Sequence, residues 1–173
     1  MNIDLLQRVS RICIAGPGIN QDWYTQNLWK EFQAEVERLQ HPPRPTIDEY
    51  YLGIAQAVSA RAECTRRQIG AVIVKDGSII GTGYNGAPPG EPSCLDSACP
   101  RASGKDVVAG VGYAASGCVV IHAEANAIMR AGRERCLGAT LYVTDTCCEM
   151  CAPLVRAAGI IRVVTPKDFH VLG

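Results

Sequence analysis

Residues 122–151 read HAEANAIMRAGRERCLGATLYVTDTCCEMC and contain the residues that argue most directly for a fold and a chemistry. The segment opens with His122 and ends with two cysteines, Cys148 and Cys151, that are three positions apart. One imidazole and two thiolates are three good ligands for zinc, which prefers four ligands in a tetrahedron. Because three protein ligands leave one position for water, the pattern favours a catalytic zinc site over a closed structural one.

Glu124 lies two residues after the histidine and has a different predicted role. A carboxylate is a poor match to a thiolate-rich ligand set, but beside the metal it is well placed to transfer protons. The order H-x-E followed by P-C-x-x-C is the signature of zinc-dependent nucleobase deaminases. The chain departs from this signature at one position, since Cys147 stands where proline is expected. In this reading, zinc activates a water molecule and Glu124 carries protons from that water to the base and to the departing amine.

Two features of this segment leave alternatives open. A Cys-x-x-Cys pair alone would also suit a structural zinc knuckle or a redox pair, and the His-Ala-Glu triplet is what favours catalysis.

Both ligand groups are predicted at helix starts, where the backbone N–H groups would hold Cys148 and Cys151 as thiolates. Proline at 147 would suit a first helical turn. Cys147 can take that place less rigidly, and we interpret it as a redox-sensitive neighbour of the metal.

Composition limits the function classes. The chain has 173 residues, of which 47% are hydrophobic and 20% charged, and this suits a globular domain with a full core. The formal net charge of +0 argues against a broad nucleic-acid surface. No run is long enough for a membrane span, and residues 1–10 lack a signal-peptide core, so we expect a cytoplasmic protein. Nine cysteines, an odd number without a secretory signal, favour metal ligation for several of them.

Residues 1–45 are predicted to be an N-terminal extension that precedes a domain at 46–173. Apolar residues recur at helical spacing over 23–39, which predicts an amphipathic helix. The proline-rich run 42–45 should end that helix, because proline cannot continue a helix and restricts the residue before it.

The domain should begin with a capped helix. Thr46 and Glu49 have the spacing of a capping box, and the helix that follows should continue to about Ala62. Its apolar spacing predicts an inward face. The residues expected on that face are Tyr50, Ile54, Ala57 and Val58.

A β-hairpin is predicted next, from the apolar run 70–75 through the turn Asp76-Gly77 to a return strand at 78–84. The segment 87–118 is irregular, rich in glycine and alanine, and contains several cysteines. It has little apolar content of its own to bury, so we expect an insertion that something else holds in place.

The remaining elements alternate. A helix is predicted at 123–131, a strand at 139–144, a second helix at 149–158 that ends before a glycine, and a strand at 160–164. Strands that alternate with helices indicate a sheet covered by helices.

The match to known sequences is wider than the zinc motif. TRRQIGAVIVK at 65–75, GYNG at 83–86, HAEANAI at 122–128 and LYVT at 141–144 resemble the deoxycytidylate (dCMP) deaminases of bacteria and their phages. The resemblance covers about residues 46–165. It implies a cytidine-deaminase-like α/β/α sandwich, in which a central mixed sheet carries helices on both faces.

The resemblance also implies a reaction, the zinc-dependent deamination of dCMP to dUMP and ammonia. Rival substrates are cytidine, dCTP or a modified cytosine. More distant alternatives are an RNA-base deaminase, which the neutral charge argues against, and a non-catalytic zinc module, which would need no proton-transferring glutamate. The 5′-phosphate should need cationic side chains near the pocket. The candidates are Arg66, Arg67, Arg101 and Lys105.

Residue roles follow from the same resemblance. It implies His122, Cys148 and Cys151 as zinc ligands and Glu124 as the proton shuttle. Asn85 matches an asparagine that contacts the sugar hydroxyl, with a left-handed turn residue as the alternative reading. The base pocket would be lined by Ala123, through its backbone, and by Thr144.

Further cofactors and partners are implied as well. A second, structural zinc would pin the insertion. Its ligands would be Cys64, Cys94, Cys99 and Cys118, and the alternatives are unliganded thiols or a set of only three ligands. Some relatives respond to dCTP and dTTP with Mg²⁺, and members form homo-oligomers, either dimers or hexamers.

Overall fold

The structure is a computed structural model that describes residues 23–41, 44–103 and 117–172. The chain divides into one unit that ends at Pro45 and a second that begins at Thr46. Helix α1 of the first unit spans Trp23–Gln40, which confirms the predicted helix. Across the three described ranges, no helix combines the length and the apolar character that a membrane crossing needs.

Helix α2, Ile47–Ser59, opens the second unit with the predicted capping box. The Glu49 backbone N–H donates to Thr46 Oγ1 at 3.2 Å, and the Thr46 N–H donates to the Glu49 carboxylate at 2.7 Å.

The predicted inward face of α2 was right for Ile54 and Val58, which pack against the core. It was wrong for Tyr50, which is 51% exposed, and for Ala57, which is exposed. Tyr51 is buried instead. The buried residues of α2 follow one another at intervals of four. They are Tyr51, Ala55 and Ser59.

The predicted hairpin is confirmed. Strands β1, Gly70–Lys75, and β2, Ser78–Tyr84, pair antiparallel around Asp76 and Gly77. Both turn residues have positive φ, 50° and 74°, as a two-residue turn of type I′ requires.

The other described strands complete a five-stranded mixed sheet of order β2-β1-β3-β4-β5. Strands β3, Thr140–Val143, and β4, Arg162–Val164, are parallel, and the other pairs are antiparallel. Strands β3 and β4 were both predicted, as parts of the longer runs 139–144 and 160–164. Strand β5, Phe169–Val171, was not predicted, and all three of its residues are exposed.

Both faces of the sheet are covered. On one face, Ala71 and Ile73 of β1 join a core with helix α4, Ala123–Ala131. On the other face, Val72 and Val74 pack with Tyr51 and Ala55 of α2. Because successive residues of β1 are buried on opposite sides, β1 is a central strand of an α/β/α sandwich. The sequence-based fold prediction is therefore confirmed.

Three shorter helices connect these elements. Helix α3 spans Pro100–Ser103, α5 spans Arg133–Cys136, and α6 spans Cys151–Ala157. Helix α6 begins later than predicted, and it ends, as predicted, before a glycine, Gly159, with positive φ of 75°. It forms the crossover between the parallel strands β3 and β4.

Helix α4 lies very close to strand β2, at two glycines. A Cβ atom added to Gly83 would lie 2.1 Å from the Ala123 carbonyl oxygen and 2.4 Å from the Ala127 nitrogen. A Cβ atom added to Gly81 would lie 2.7 Å from the Ala127 carbonyl oxygen. No side-chain carbon fits at these distances, so the two glycines let the helix backbone rest on the strand.

This close approach predicts that Gly83→Ala destabilises the domain. The added methyl must displace helix backbone rather than a flexible side chain, and overpacking of this kind costs about 1–3 kcal/mol in the free energy of unfolding. Urea denaturation followed by circular dichroism measures this change.

Gly53→Ala is the matched control. Gly53 lies inside α2, and an added Cβ atom meets nothing within 4 Å. Alanine there should raise the free energy of unfolding by about 0.5–1 kcal/mol, because glycine is unfavourable in a helix. Equal urea midpoints for Gly83→Ala and the unmodified protein would contradict the close contact.

Candidate metal centre and cavity

The three predicted zinc ligands come together in space. The Nδ1 atom of His122 lies 3.2 Å from the Cys148 sulfur and 3.4 Å from the Cys151 sulfur. These three atoms lie within 4.8 Å of one another, and the described ranges contain no other such group of three His, Cys, Asp or Glu residues. Tetrahedral zinc with ordinary bond lengths would place nitrogen and sulfur about 3.6 Å apart. The donor set and its spacing therefore fit a zinc ion.

Local structure explains why these atoms meet. Ile121 forms a β-bridge with Gly86, with hydrogen bonds of 2.8 and 3.1 Å, and the next residue, His122, is the N-cap of α4. The Cys148 carbonyl accepts hydrogen bonds from the N–H groups of Cys151 and Ala152, at 3.1 and 3.0 Å. This turn brings the two cysteines to the same side of the chain.

The pKa values of the ligands shift in ways that favour a bound cation. Burial lowers the pKa of His122, which keeps the imidazole neutral and able to bind a metal. Burial, followed by the negative charge of Glu124, raises the pKa of Cys151. Cys151 is the first residue of α6, as predicted, whereas Cys148 precedes that helix. Because burial favours the neutral thiol of Cys151, its predicted thiolate form depends on a bound cation.

Glu124 is buried in the first turn of α4, with 4% of its surface exposed, and faces the cavity beside the ligands. The Cys147 thiol lies close to this carboxylate. Burial, and then the charge of Glu124, raise the pKa of Cys147. Without a bound metal the thiol is therefore neutral, and its redox sensitivity beside the metal stays a prediction.

One cavity contains most of the predicted site residues. It is formed by the connections before β1 and after β2, by the described parts of the insertion, by the start of α4 and by the turn after β3. The lining residues are Cys64, Arg66, Arg67, Ile69, Asn85, Cys94, Cys99, Arg101, Ala102, Cys118, Val120, His122, Ala123, Glu124, Asp145, Thr146 and Cys148.

Asn85 forms part of this wall and is 6% exposed. Its amide oxygen accepts from the Ile69 N–H at 2.9 Å, and its amide nitrogen donates to the Arg67 carbonyl at 2.8 Å. The alternative reading as a left-handed turn residue was wrong, since the only described non-glycine residues with positive φ are Asp76 and Ser97. Asn85 therefore fixes the backbone before β1, and its contact with a sugar stays a prediction.

Thr144 follows β3, and its hydrogen bonds are directed to the sheet. Its hydroxyl accepts from the Gly70 N–H at 3.1 Å, and its own N–H donates to the Gly70 carbonyl at 3.0 Å. The next two residues, Asp145 and Thr146, line the cavity. Asp145 forms an ion pair with Arg67, which sequence analysis missed because nothing in the local pattern of either residue signals the other.

The four cysteines proposed for a second metal also line the cavity. Cys94 and Cys118 each interact electrostatically with both Cys99 and Cys64. Burial raises the pKa of Cys94 to about 12. The four thiols are spaced more widely than the first ligand set, because no three of their sulfurs lie within 4.8 Å of one another.

Three of the four predicted phosphate-binding side chains line the same cavity, namely Arg66, Arg67 and Arg101. The Arg66 guanidinium donates to the Arg101 carbonyl at 3.0 Å. Arg101 is itself buried, with 6% of its surface exposed. The fourth candidate, Lys105, lies outside the described residues.

Comparison with known proteins agrees with this geometry. Residues 45–167 match the family described as the cytidine and deoxycytidylate deaminase zinc-binding region. The deoxycytidylate deaminase of Mycobacterium phage D29 is 53% identical over 128 residues, which are 72% of this chain and 98% of the relative. That of Schizosaccharomyces pombe is 34% identical over 146 residues, and the match covers 84% of this chain but 44% of the relative.

A solved structure has a similar fold. The crystal structure of dCMP deaminase from the cyanophage S-TIM5, in complex with dCMP and dUMP, aligns with a TM-score of 0.53 and 28% sequence identity. The alignment covers 71% of this chain and 82% of the cyanophage chain.

The ligand assignment predicts that Cys151→Ser loses about one equivalent of zinc per chain, because a serine hydroxyl cannot replace a thiolate as a zinc ligand. Metal analysis of the purified variant measures this loss. In the metal-free protein the raised pKa of Cys151 keeps a proton on the sulfur, so zinc binding should release that proton and weaken as the pH is lowered.

Cys136→Ser is the control for this prediction. Cys136 is a fully buried free thiol in the core between α5 and the sheet, and it does not line the cavity. Its replacement should lower stability and leave the zinc content unchanged. A full zinc content in Cys151→Ser would show that the ligand set is wrong.

Proposed function

The chain belongs to the cytidine and deoxycytidylate deaminase family, and we propose that it catalyses the hydrolytic deamination of dCMP to dUMP and ammonia. The observation that carries this proposal is a buried carboxylate, Glu124, beside a three-residue zinc site of His122, Cys148 and Cys151. A purely structural ion would need neither an incomplete ligand set nor a carboxylate facing a cavity.

Zinc bound by these three residues supplies Lewis acidity, which makes a water molecule nucleophilic at neutral pH. Glu124 accepts a proton from that water as its oxygen forms a bond to the amino-bearing carbon of the ring. The carboxyl then gives this proton to the adjacent ring nitrogen. Glu124 then takes the remaining proton of the added hydroxyl group and transfers it to the amine. The C–N bond breaks as the C=O bond forms, and the amine leaves as ammonia. Carbon gains one oxygen and loses one nitrogen, so no oxidant is required.

The cavity wall supports a cytosine nucleotide as the substrate. The backbone of Ala123 and the turn that follows Thr144 border the place beside Glu124 where the base would bind. Asn85, held by the backbone of 67–69, is our candidate for the sugar contact. The guanidinium groups of the wall would bind a 5′-phosphate, which a nucleoside lacks.

We further propose a second zinc bound by the four cysteines of the cavity wall. Four sulfur ligands suit a closed tetrahedral zinc site, and the four thiols line one cavity, in which Cys94 and Cys118 interact electrostatically with Cys99 and Cys64. A buried thiol with a pKa of about 12, such as Cys94, becomes a thiolate at neutral pH only beside a cation. Total zinc near two equivalents per chain would agree with this site, and one equivalent would argue against it.

We also infer that the protein forms a homo-oligomer. An apolar groove lies between α4 and α6, and Met129 and Leu154 in its wall are 61% and 49% exposed. Large exposed apolar side chains that line one groove are typical of protein interfaces. A dimer or hexamer, a cytoplasmic location and a response to nucleotide effectors with Mg²⁺ stay predictions.

Ammonia release from dCMP, deoxycytidine, cytidine and dCTP tests the proposed function and ranks the rival substrates. We expect dCMP to have the highest kcat/KM, because it combines the base that Glu124 serves with a phosphate for the arginines. Release from none of these compounds would exclude the proposed reaction class.

The proposed role of Glu124 predicts that Glu124→Gln keeps its zinc and lowers kcat by about 10²–10⁴-fold, since glutamine cannot transfer the proton. Steady-state kinetics and metal analysis on the same preparation measure both quantities. Glu134→Gln, an exposed change in α5, is the control and should keep the wild-type rate. A kcat for Glu124→Gln close to that of the control would refute the role.

A further inference from the structure

His122, the predicted zinc ligand at the start of α4, does not cap its own helix. It is the N-cap residue, a position at which a side chain often binds the first backbone N–H groups, yet it makes no such hydrogen bond. Its Nδ1 atom instead lies 3.2 Å from the Cys148 sulfur and 3.4 Å from the Cys151 sulfur. Other groups must therefore hold the backbone from which the imidazole projects.

Asn126, one helical turn after His122, holds this backbone. Its own N–H donates to the His122 carbonyl at 3.0 Å. Its side-chain amide nitrogen donates to the Tyr84 carbonyl at 2.8 Å and to the Ile121 carbonyl at 3.4 Å. One side chain therefore ties the end of β2, and the residue that precedes the ligand, to the start of α4.

The end of β2 is itself held on two sides, so it can serve as an anchor. Gly86 and Ile121 exchange two backbone hydrogen bonds, of 3.1 and 2.8 Å. The Glu63 carboxylate accepts from the Ala87 N–H at 2.9 Å. It lies so close that a Cβ atom added to Gly86 would be 2.8 Å from one of its oxygens. The amide of Asn126 therefore joins α4 to backbone that is already fixed.

Asparagine is an unfavourable residue for the helix alone. Position 126 lies inside α4, whose sequence AEANAIMRA contains four alanines. Asparagine forms helix less readily than alanine, because its side chain competes for backbone hydrogen bonds. Alanine at 126 should therefore favour the isolated helix. Any loss of function that it causes must come from the missing bonds to Tyr84 and Ile121.

We propose that Asn126 is a positioning residue for the metal: its amide fixes the backbone that presents His122 and thereby raises the affinity of the site for zinc. This inference rests on the zinc site of the proposed function, and it adds a residue that is not a ligand. Glu124 lies in the first turn of the same helix, so the amide of Asn126 also fixes the origin of the proton-transferring carboxylate.

Zinc affinity, measured by competition with a chelator, tests the proposal without turnover. Asn126→Ala should bind zinc roughly 10- to 100-fold more weakly, because groups that orient a metal ligand commonly contribute this much. Cys151→Ser lacks the site and identifies which bound zinc belongs to it. With zinc in excess, dCMP deamination by Asn126→Ala should show a lowered kcat and a KM that changes little, since Asn126 does not line the cavity.

Arg130→Ala is the matched control. Arg130 is exposed and lies one turn further along α4, where its guanidinium donates to the Thr82 carbonyl of β2 at 3.1 Å. The variant removes the same kind of bond between the same two elements, but farther from His122. It should keep the zinc affinity and the kcat of the unmodified protein.

Asn126→Leu gives a second measurement if Asn126→Ala folds poorly. Leucine has nearly the volume of asparagine and no donor, so its zinc affinity should fall by a similar factor. Unchanged zinc affinity in both Asn126 variants would overturn the proposal. An equal loss in Arg130→Ala would also overturn it, since any weakening between α4 and β2 would then suffice. The proposed function fails separately, if the zinc-loaded unmodified protein releases no ammonia from any cytosine compound.

Discussion

The contact between α4 and the glycines of β2 is the constraint on which the rest of the structure depends. Helix α4 carries His122 at its N-cap and Glu124 in its first turn, so the height of the helix above the sheet sets the positions of both groups. Gly81 and Gly83 let the helix backbone touch the strand, where any side chain would hold the two apart. Strand β1, buried on both faces, keeps the sheet itself rigid beneath this contact.

The site contains ionisable groups whose charged forms are unfavourable in a buried place but are stabilised by a shared metal ion. A half-buried imidazole kept neutral and a buried thiol with a raised pKa disfavour charge, and Glu124 adds a negative charge beside them. A divalent cation resolves this conflict, since it stabilises thiolates and the carboxylate at once. The same cavity contains the guanidinium groups of Arg66 and Arg101. A proton-transfer group and anion-binding groups therefore face one space, which is what an anionic nucleobase derivative requires.

Local signals in the sequence predicted the elements whose cause is local. The capping box of Thr46, the Asp76-Gly77 turn and the His-Ala-Glu and Cys-x-x-Cys motifs each depend on neighbouring residues, and each was found in the structure. The inward face of α2 was predicted only in part, since packing against the sheet, including Tyr142 of β3, selects Tyr51 over its neighbour Tyr50. Strand β5 was not predicted because its three residues are too short a run to indicate a strand, although they alternate between apolar and polar.

Contacts between distant segments were not predictable in the same way. The ion pair of Arg67 with Asp145 and the hydrogen bond of Arg66 to Arg101 exist only because the sheet brings separate connections to one edge. Asn85 showed the limit most clearly. The resemblance suggested a sugar contact and its residue type a turn as the alternative, and neither anticipated that its buried amide binds the backbone of the neighbouring connection.

The crossover from β3 through α6 to β4 contains two of the three predicted zinc ligands and part of the cavity wall. Strand β3 ends at Val143 and α6 begins at Cys151, so residues 144–150 lie between elements that are fixed by pairing and packing. This stretch already contains the replacement of proline by Cys147, yet Cys148 and Cys151 still meet His122. Within this bend the ligand set requires Cys148, whereas Asp145 and Thr146 line the cavity without belonging to that set. A substitution at either neighbour can therefore reshape the cavity wall and leave the three ligand atoms in place.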